Sequence, residues 1–214
     1  GVVLDWRCPH YEWLYHKAWR IYRNPLPALQ HLWHFLFTEN YARKLFSEFR
    51  SQIPMSGPIY RWKDLYKQEE FFDSFIVGSD QVWNPMNSAV LPQKFDRTYL
   101  LNFIQTGSKK NAYAASIGVD RIEPAGLVSE FVDAWKSFNI ITMREYAGAK
   151  YVENMVKRPI QTVLDPVLLH EKSFWEKIAR QPSKVQKPYI FLYNVRRSSF
   201  LYEQAKQYAK NQKV

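Results

Sequence analysis

Cysteine is nearly missing from this chain: Cys8 stands alone among 214 residues. A single thiol cannot close a disulfide within the chain or anchor a cysteine-based metal cluster, so nothing demands an oxidising compartment. Glycine is scarce as well, at seven residues, and no G-x-G-x-x-G sits at a strand-to-helix turn. Redox catalysis on a dinucleotide is therefore disfavoured. The sequence has no run of about 18 apolar residues and no charged-then-apolar leader, which reads as a soluble, cytoplasmic protein. The first residue is Gly1 rather than Met, so the expectation is that the start lies upstream.

What is abundant is apolar and basic. Hydrophobic residues make up 46% of the chain and aromatics 17%, enough for an ordered core in one large or two small domains. The net charge is +10, and most of the excess falls after residue 143. Such a field suits an anionic partner, although a solvated basic surface is the commoner meaning of a charge excess. Nucleic acid would call for a recognised module or a basic stripe interleaved with stacking aromatics, and no such module is found, so it ranks low.

Residues 72 to 85, FDSFIVGSDQVWNP, organise the rest. Phe75, Ile76 and Val77 read as a strand buried on both faces of a parallel sheet, and Gly78 permits the sharp turn that ends it. Ser79, Asp80 and Gln81 then fall where a doubly wound sheet opens its ligand crevice. Capping of a following helix is an equal alternative for Ser79 and Asp80.

Around this stretch the chain alternates strands with crossover helices. VVLDWR opens as a strand, and strands are also expected at 73–77, 112–116, 140–142 and 161–164. Pro166 prevents the last from continuing. Apolar stripes place helices at about 124–138, with Leu127, Phe131 and Trp135 inward, and after Arg144, with Ala147, Tyr151 and Val152 inward. This is the pattern of an α/β fold with a Rossmann-like parallel sheet covered by helices.

Residues 11–50 differ in carrying aromatic and basic residues at helical spacing. They predict two helices, the first packing through Leu14 and Ile21, the second presenting Leu36, Leu45, Phe46 and Phe49 on its apolar side. Docking on the domain's own core is the default for such a pair, and peripheral association with a membrane surface is the alternative. His31 and His34 have a spacing that can suit a metal, but no third ligand accompanies them, and no metal site is expected. The domain reading is 1–168 for an N-terminal domain, 169–188 for a linker, and 189–214 for the start of a second domain that opens on a strand at 189–193.

Four stretches together resemble the polysaccharide pyruvyl transferase family: FDSFIVGSDQVWNP, KNAYAASIG at 110–118, IITMREYAGAKYV at 140–152 and VLDPVLL at 163–169. They occur in that family's order and cover roughly residues 70 to 195. The resemblance implies one domain of a two-domain enzyme of the glycosyltransferase-B type, a fragment inactive by itself. It also implies transfer of the enolpyruvyl moiety of phosphoenolpyruvate to a glycan acceptor, closing a pyruvate ketal with no nucleotide or redox cofactor.

Ketal formation needs a cation for the donor's carboxylate or phosphate, an acid for its methylene carbon and a base for the attacking hydroxyl. Arg144 matches the arginine of the family's Ser-x-Arg-Glu pattern, in which Thr142 replaces the serine, and is the candidate grip on the donor. Asp80 is the candidate acid or base. Ser79, Gln81, Trp83, Asn84, Tyr113, Ser116 and Glu145 are candidate lining residues. For each a plain packing or pairing role competes: Trp83 is more often core than sugar platform, and Arg144 and Glu145 can simply pair. A nucleotide-sugar-dependent glycosyltransferase of the same architecture, or a non-catalytic glycan or membrane-associated module, would also fit these residues. If the sheet is parallel, Ser79, Asp80, Ser116 and Arg144 must emerge at one carboxyl edge.

Overall fold

The computed structural model describes residues 1–7, 40–86, 96–105, 107–123, 125–179, 188–194 and 198–212. The chain divides into two compact units, Gly1–Leu169 and His170–Val214. The expected helix at 11–24, the expected packing of Leu14, Ile21 and Leu36, and the pair His31 and His34 lie outside the described residues.

The first unit is built on four parallel strands in sequential order: β1 (Ser74–Val77), β2 (Lys109–Ala115), β3 (Ile140–Met143) and β4 (Gln161–Thr162). Parallel neighbours need crossovers, and two are helical: α3 (Ala125–Ser137) between β2 and β3, and α4 (Tyr146–Val156) between β3 and β4. The first crossover instead carries a short 3-10 turn at Arg97–Leu100, whose Asp96 side chain accepts a hydrogen bond from Thr98 N at 3.0 Å. Upstream lie α1 (Asn40–Arg50) and the short α2 (Trp62–Tyr66). The opening VVLDWR is extended and joins residues 55–59 through the parallel bridges Val3 to Met55 and Trp6 to Ile59, short of a regular strand.

One face of the sheet is buried. Phe75, Val77, Ala112, Ile141 and Met143 point into a core shared with Phe131, Trp135, Phe138 and Val152. Trp83 sits in its middle, fully buried, with its ring 5.6 Å from both Trp135 and Phe138, the latter edge-on at 88°. Edge-to-face contact places the positive ring edge on the negative face and adds to the burial of three large rings. The other face differs from the sequence reading. Ile76 is 70% exposed and Ile140 59% exposed, with Asn111 in register between them, so β1 and β3 follow the period-2 alternation of half-buried strands. A purely apolar triplet such as Phe75-Ile76-Val77 does not reveal which of its faces is covered, because the alternation shows only in burial.

The expected apolar side of the helix at 40–50 also lies outward. Leu45 is 40% exposed, Phe46 69% and Phe49 58%, so they do not pack on the core of this unit.

β2 carries a bulge. Ala112 pairs with Ile141 and Ala115 with Met143, so Tyr113 and Ala114 together oppose Thr142. Ala114 adopts φ +49°, which costs a residue with a side chain, and the Thr142 hydroxyl makes the conformation tenable by accepting from Ala114 N at 3.0 Å and donating to Ala112 O at 3.1 Å. The hydroxyl thus replaces the ladder bonds that the bulge breaks. Thr142→Val keeps the shape and removes both bonds, so it is expected to destabilise by about 1–3 kcal/mol, whereas Thr142→Ser stays within about 1 kcal/mol of the parent. Urea titration of the two variants checks this, and equal midpoints would refute it.

In the second unit the described residues form α5 (Lys172–Ile178) and α6 (Ser199–Asn211), the latter capped by Ser198 Oγ, which accepts from Leu201 N at 3.3 Å. Tyr189–Tyr193 form no strand, contrary to expectation. An apolar pentapeptide becomes a strand only where a neighbour supplies ladder partners, and none of the described residues does so here.

Candidate active site

Because β1 to β4 run parallel, their carboxyl ends share one edge, and the segments that follow them meet there. The turn after β1 depends on Gly78, whose φ is +121° and whose notional Cβ would lie 2.0 Å from Tyr113 O. No side chain fits between these strands at that point. Ser79 and Asp80 follow, the latter at φ +64°.

Main-chain bonds fix this turn to the segment after β2. Ser116 N donates to Asp80 O at 2.9 Å, and Trp83 N donates to Ser116 O at 3.1 Å. Gly118, at φ +62°, lets the Gln81 and Asn84 side chains come close; a Cβ there would be 2.6 Å from Asn84 Nδ2. Asn84 is spent internally: Nδ2 donates to Gln81 Oε1 at 2.7 Å and Oδ1 accepts from Met86 N at 2.8 Å. The next loop is held likewise, with Arg144 N donating to Ala115 O at 3.0 Å.

Arg144 stands at the centre of this edge. Its Nε donates to Glu145 Oε1 at 2.9 Å, and its Nη1 reaches Asp80 Oδ1 at 3.4 Å and Asp165 Oδ2 at 3.3 Å. Nη2 makes no hydrogen bond among the described residues. The three carboxylates are unequal in exposure. The Asp80 side chain is 81% exposed, that of Glu145 45% and that of Asp165 20%. The bond to Glu145, ahead of those to the two aspartates, pushes the Arg144 guanidinium to still higher pKa, so it stays charged. A planar cation with one open nitrogen and an exposed carboxylate alongside can grip an anion and accept a proton from a neighbouring hydroxyl.

The structure brings Ser79, Asp80, Arg144 and Glu145 together and adds Asp165, which the sequence reading used only to end a strand. Asp165 follows β4; its Oδ1 accepts from Val167 N at 3.0 Å, and the Ser79 hydroxyl is close enough to help lower its pKa. The sequence did hold a signal for it, since any polar residue just past a strand of the same parallel sheet must reach the same edge. Tyr113 stays half-buried with its hydroxyl donating to Leu164 O at 3.2 Å.

Three candidates support the edge from within instead of lining it. Trp83 is a core residue whose Nε1 donates to Tyr99 O at 2.9 Å, which leaves no ring face for a sugar. Ser116 is 1% exposed, with Oγ accepting from Gly118 N. Asn84, together with Gln81, shapes the turn. A cavity of about 510 Å³ lined by Ser56, Tyr60, Arg61, Asp64 and Gln68 contains none of the candidate residues. Among the described residues no group of three His, Cys, Asp or Glu side chains is placed to hold a metal, and no helix is long and apolar enough to cross a membrane.

The amide of Val167, then the Ser79 hydroxyl and Arg144, hold the Asp165 carboxyl below its ordinary value against the opposing effect of burial. A carboxyl lowered by folding lends stability that is present above its unfolded pKa, near 3.9, and is lost as pH falls through its folded value. Asp165→Asn should therefore lower the melting temperature at pH 7 and converge with the parent once the pH falls below the lowered folded-state pKa. Parallel melting curves down to pH 2.5 check this; a constant offset would contradict it.

No curated protein and no solved structure matches the chain. The family model for polysaccharide pyruvyl transferase matches residues 4–212, which extends well beyond the stretches carrying recognisable motifs and takes in residues 11–70. With nearly its whole length covered by that match, and with the motif residues gathered at one carboxyl edge, the chain belongs to the polysaccharide pyruvyl transferase family.

Proposed function

We propose that this protein, as part of a two-domain enzyme of glycosyltransferase-B type, transfers the enolpyruvyl moiety of phosphoenolpyruvate to a sugar of a surface polysaccharide. The observation that carries the reading is the placement of the Arg144 guanidinium 3.4 Å from an exposed Asp80 carboxylate at the sheet's carboxyl edge, in a chain of this family. Arg144 takes the donor carboxylate through Nη2, exchanging contacts with Asp80 for contacts with substrate. Asp80, so released, accepts the proton of the attacking sugar hydroxyl as its oxygen bonds to donor C2. A proton enters C3, the C2–O bond to phosphate breaks, and a second hydroxyl of the sugar adds at C2 with loss of its proton. The products are one cyclic ketal and one phosphate. No nucleotide, metal or redox group takes part.

Incubating the complete gene product with phosphoenolpyruvate and galactosyl or mannosyl acceptors tests this. Acceptor-dependent phosphate release and a new ketal methyl resonance on the sugar are expected. Release of nucleotide from a nucleotide sugar, without use of phosphoenolpyruvate, would establish the glycosyltransferase alternative.

A second feature bears on where the reaction takes place. The outward Leu45, Phe46 and Phe49 of α1, beside Lys44 and Arg50, favour peripheral seating on the cytoplasmic face of an anionic membrane. Cosedimentation with phosphatidylglycerol vesicles should be lost in the Phe46→Ser, Phe49→Ser double variant. Equal pelleting of parent and variant would reject this location.

A further inference from the structure

We infer that Asp165 is a positioning residue for the anion grip, fixing the Arg144 guanidinium from the adjacent strand end so that Nη2 is held toward the crevice. Three observations support this. First, among the three acids around Arg144, Asp165 is the least exposed, at 20% against 45% for Glu145 and 81% for Asp80, so water competes least with its bond. Second, it is anchored to its own backbone: Oδ1 accepts from Val167 N at 3.0 Å while Oδ2 faces Arg144 Nη1 at 3.3 Å, so each oxygen has a separate task. Third, it comes from a further strand end: Asp165 follows β4 and Arg144 follows β3, so their contact ties together the loops that leave two adjacent strands.

The remaining two acids are less suited to this task. Glu145 is adjacent in sequence to Arg144 and holds Nε, which leaves the rest of the fork free to turn about the Nε–Cζ bond. Asp80 touches Nη1 at 3.4 Å from a largely solvated position. Asp165 is therefore the contact that stops the fork from rotating, and a fork with one fixed nitrogen presents the other in a defined direction. This assignment deepens the proposed donor role of Arg144, but the geometry it describes exists without any ligand.

The test uses that independence. In proton–nitrogen spectra of the whole protein, the guanidinium Nη signals of Arg144, assigned by their loss in Arg144→Lys, should be resolved because rotation about Nε–Cζ is slow. Asp165→Asn keeps an acceptor for Val167 N but removes the charge, and should merge or broaden those signals; Asp80→Asn should leave them resolved. Asp165→Glu retains the charge, so resolved signals should partly return. In parallel, titration with phosphoenolpyruvate should show roughly tenfold weaker binding in Asp165→Asn, and in the Arg144→Lys background the same change should cost less than threefold. Unchanged Nη signals in Asp165→Asn overturn the assignment whatever the ligand does, as does tighter binding, which would make Asp165 a competitor for the grip. Slow Nη rotation lost in Asp165→Asn, with no binding by the parent protein, would retain the positioning role and sink the donor reading instead.

Discussion

Arg144→Lys in the complete enzyme is expected to lower kcat/KM for phosphoenolpyruvate by roughly 30- to 150-fold, equivalent to the loss of about 2–3 kcal/mol of charge-assisted hydrogen bonding. Lysine keeps the charge but cannot form two parallel bonds to a carboxylate, nor hold Glu145 and Asp165 while offering a further donor. In this fold those tasks fall to separate nitrogens: Nε to Glu145 and Nη1 to Asp80 and Asp165, with Nη2 making no hydrogen bond among the described residues. A point charge can satisfy only one of them well. Stability should change little, since the pairs are partly exposed and each contributes on the order of 1 kcal/mol or less. Steady-state rates together with a melting curve decide the matter; a loss below fivefold would mean that the donor is held elsewhere.

The largest expected effect on stability comes from Gly78→Ala. A methyl group would stand 2.0 Å from Tyr113 O, and φ of +121° is barely accessible to any residue with a side chain. The obstacle is backbone, and it cannot step aside, because Val77 pairs with Ala112 and Ser116 N is bonded to Asp80 O on either side of it. Overpacking and dihedral strain together are expected to cost about 3–5 kcal/mol. For a chain of this size that lowers the melting temperature by roughly 10 °C, or leaves the protein insoluble. Gly126 has open space at its notional Cβ and makes a suitable control, with Gly126→Ala within about 1 kcal/mol of the parent. Equal melting of Gly78→Ala and the control would show that the turn after β1 is not formed as described.

Residue patterns made some parts of this molecule readable and hid others, for physical reasons. The parallel order was legible because Phe131, Trp135 and Val152 mark crossover helices that only parallel strands require. From the parallel arrangement Asp80 and Arg144 had to emerge at one carboxyl edge, and the structure brings them to 3.4 Å across a sequence separation of 64 residues. Asp165 escaped notice since an aspartate before a proline also reads as the end of a strand. Trp83 could not be assigned in advance, because an aromatic beside a polar turn can face either way; here burial against Trp135 and Phe138 prevailed. The outward face of α1 was hidden for a related reason. Its spacing proves amphipathicity but does not name the surface that its apolar side meets.

β4 contains only two residues, both exposed, and among the described residues it pairs in the sheet only with Thr142 and Met143. A strand so short can detach in brief sub-global openings while β1 to β3 and their aromatic core remain closed. Such an opening would carry Asp165, which follows β4, away from Arg144. Local opening of β4 would then set how long the edge stays assembled, and amide hydrogen exchange at Val163, whose N–H reaches Met143 O at 2.9 Å, would time it. Ligands that engage Arg144 while Asp165 is in place should slow that exchange, so occupancy of the crevice could be followed from a single amide in a neighbouring strand.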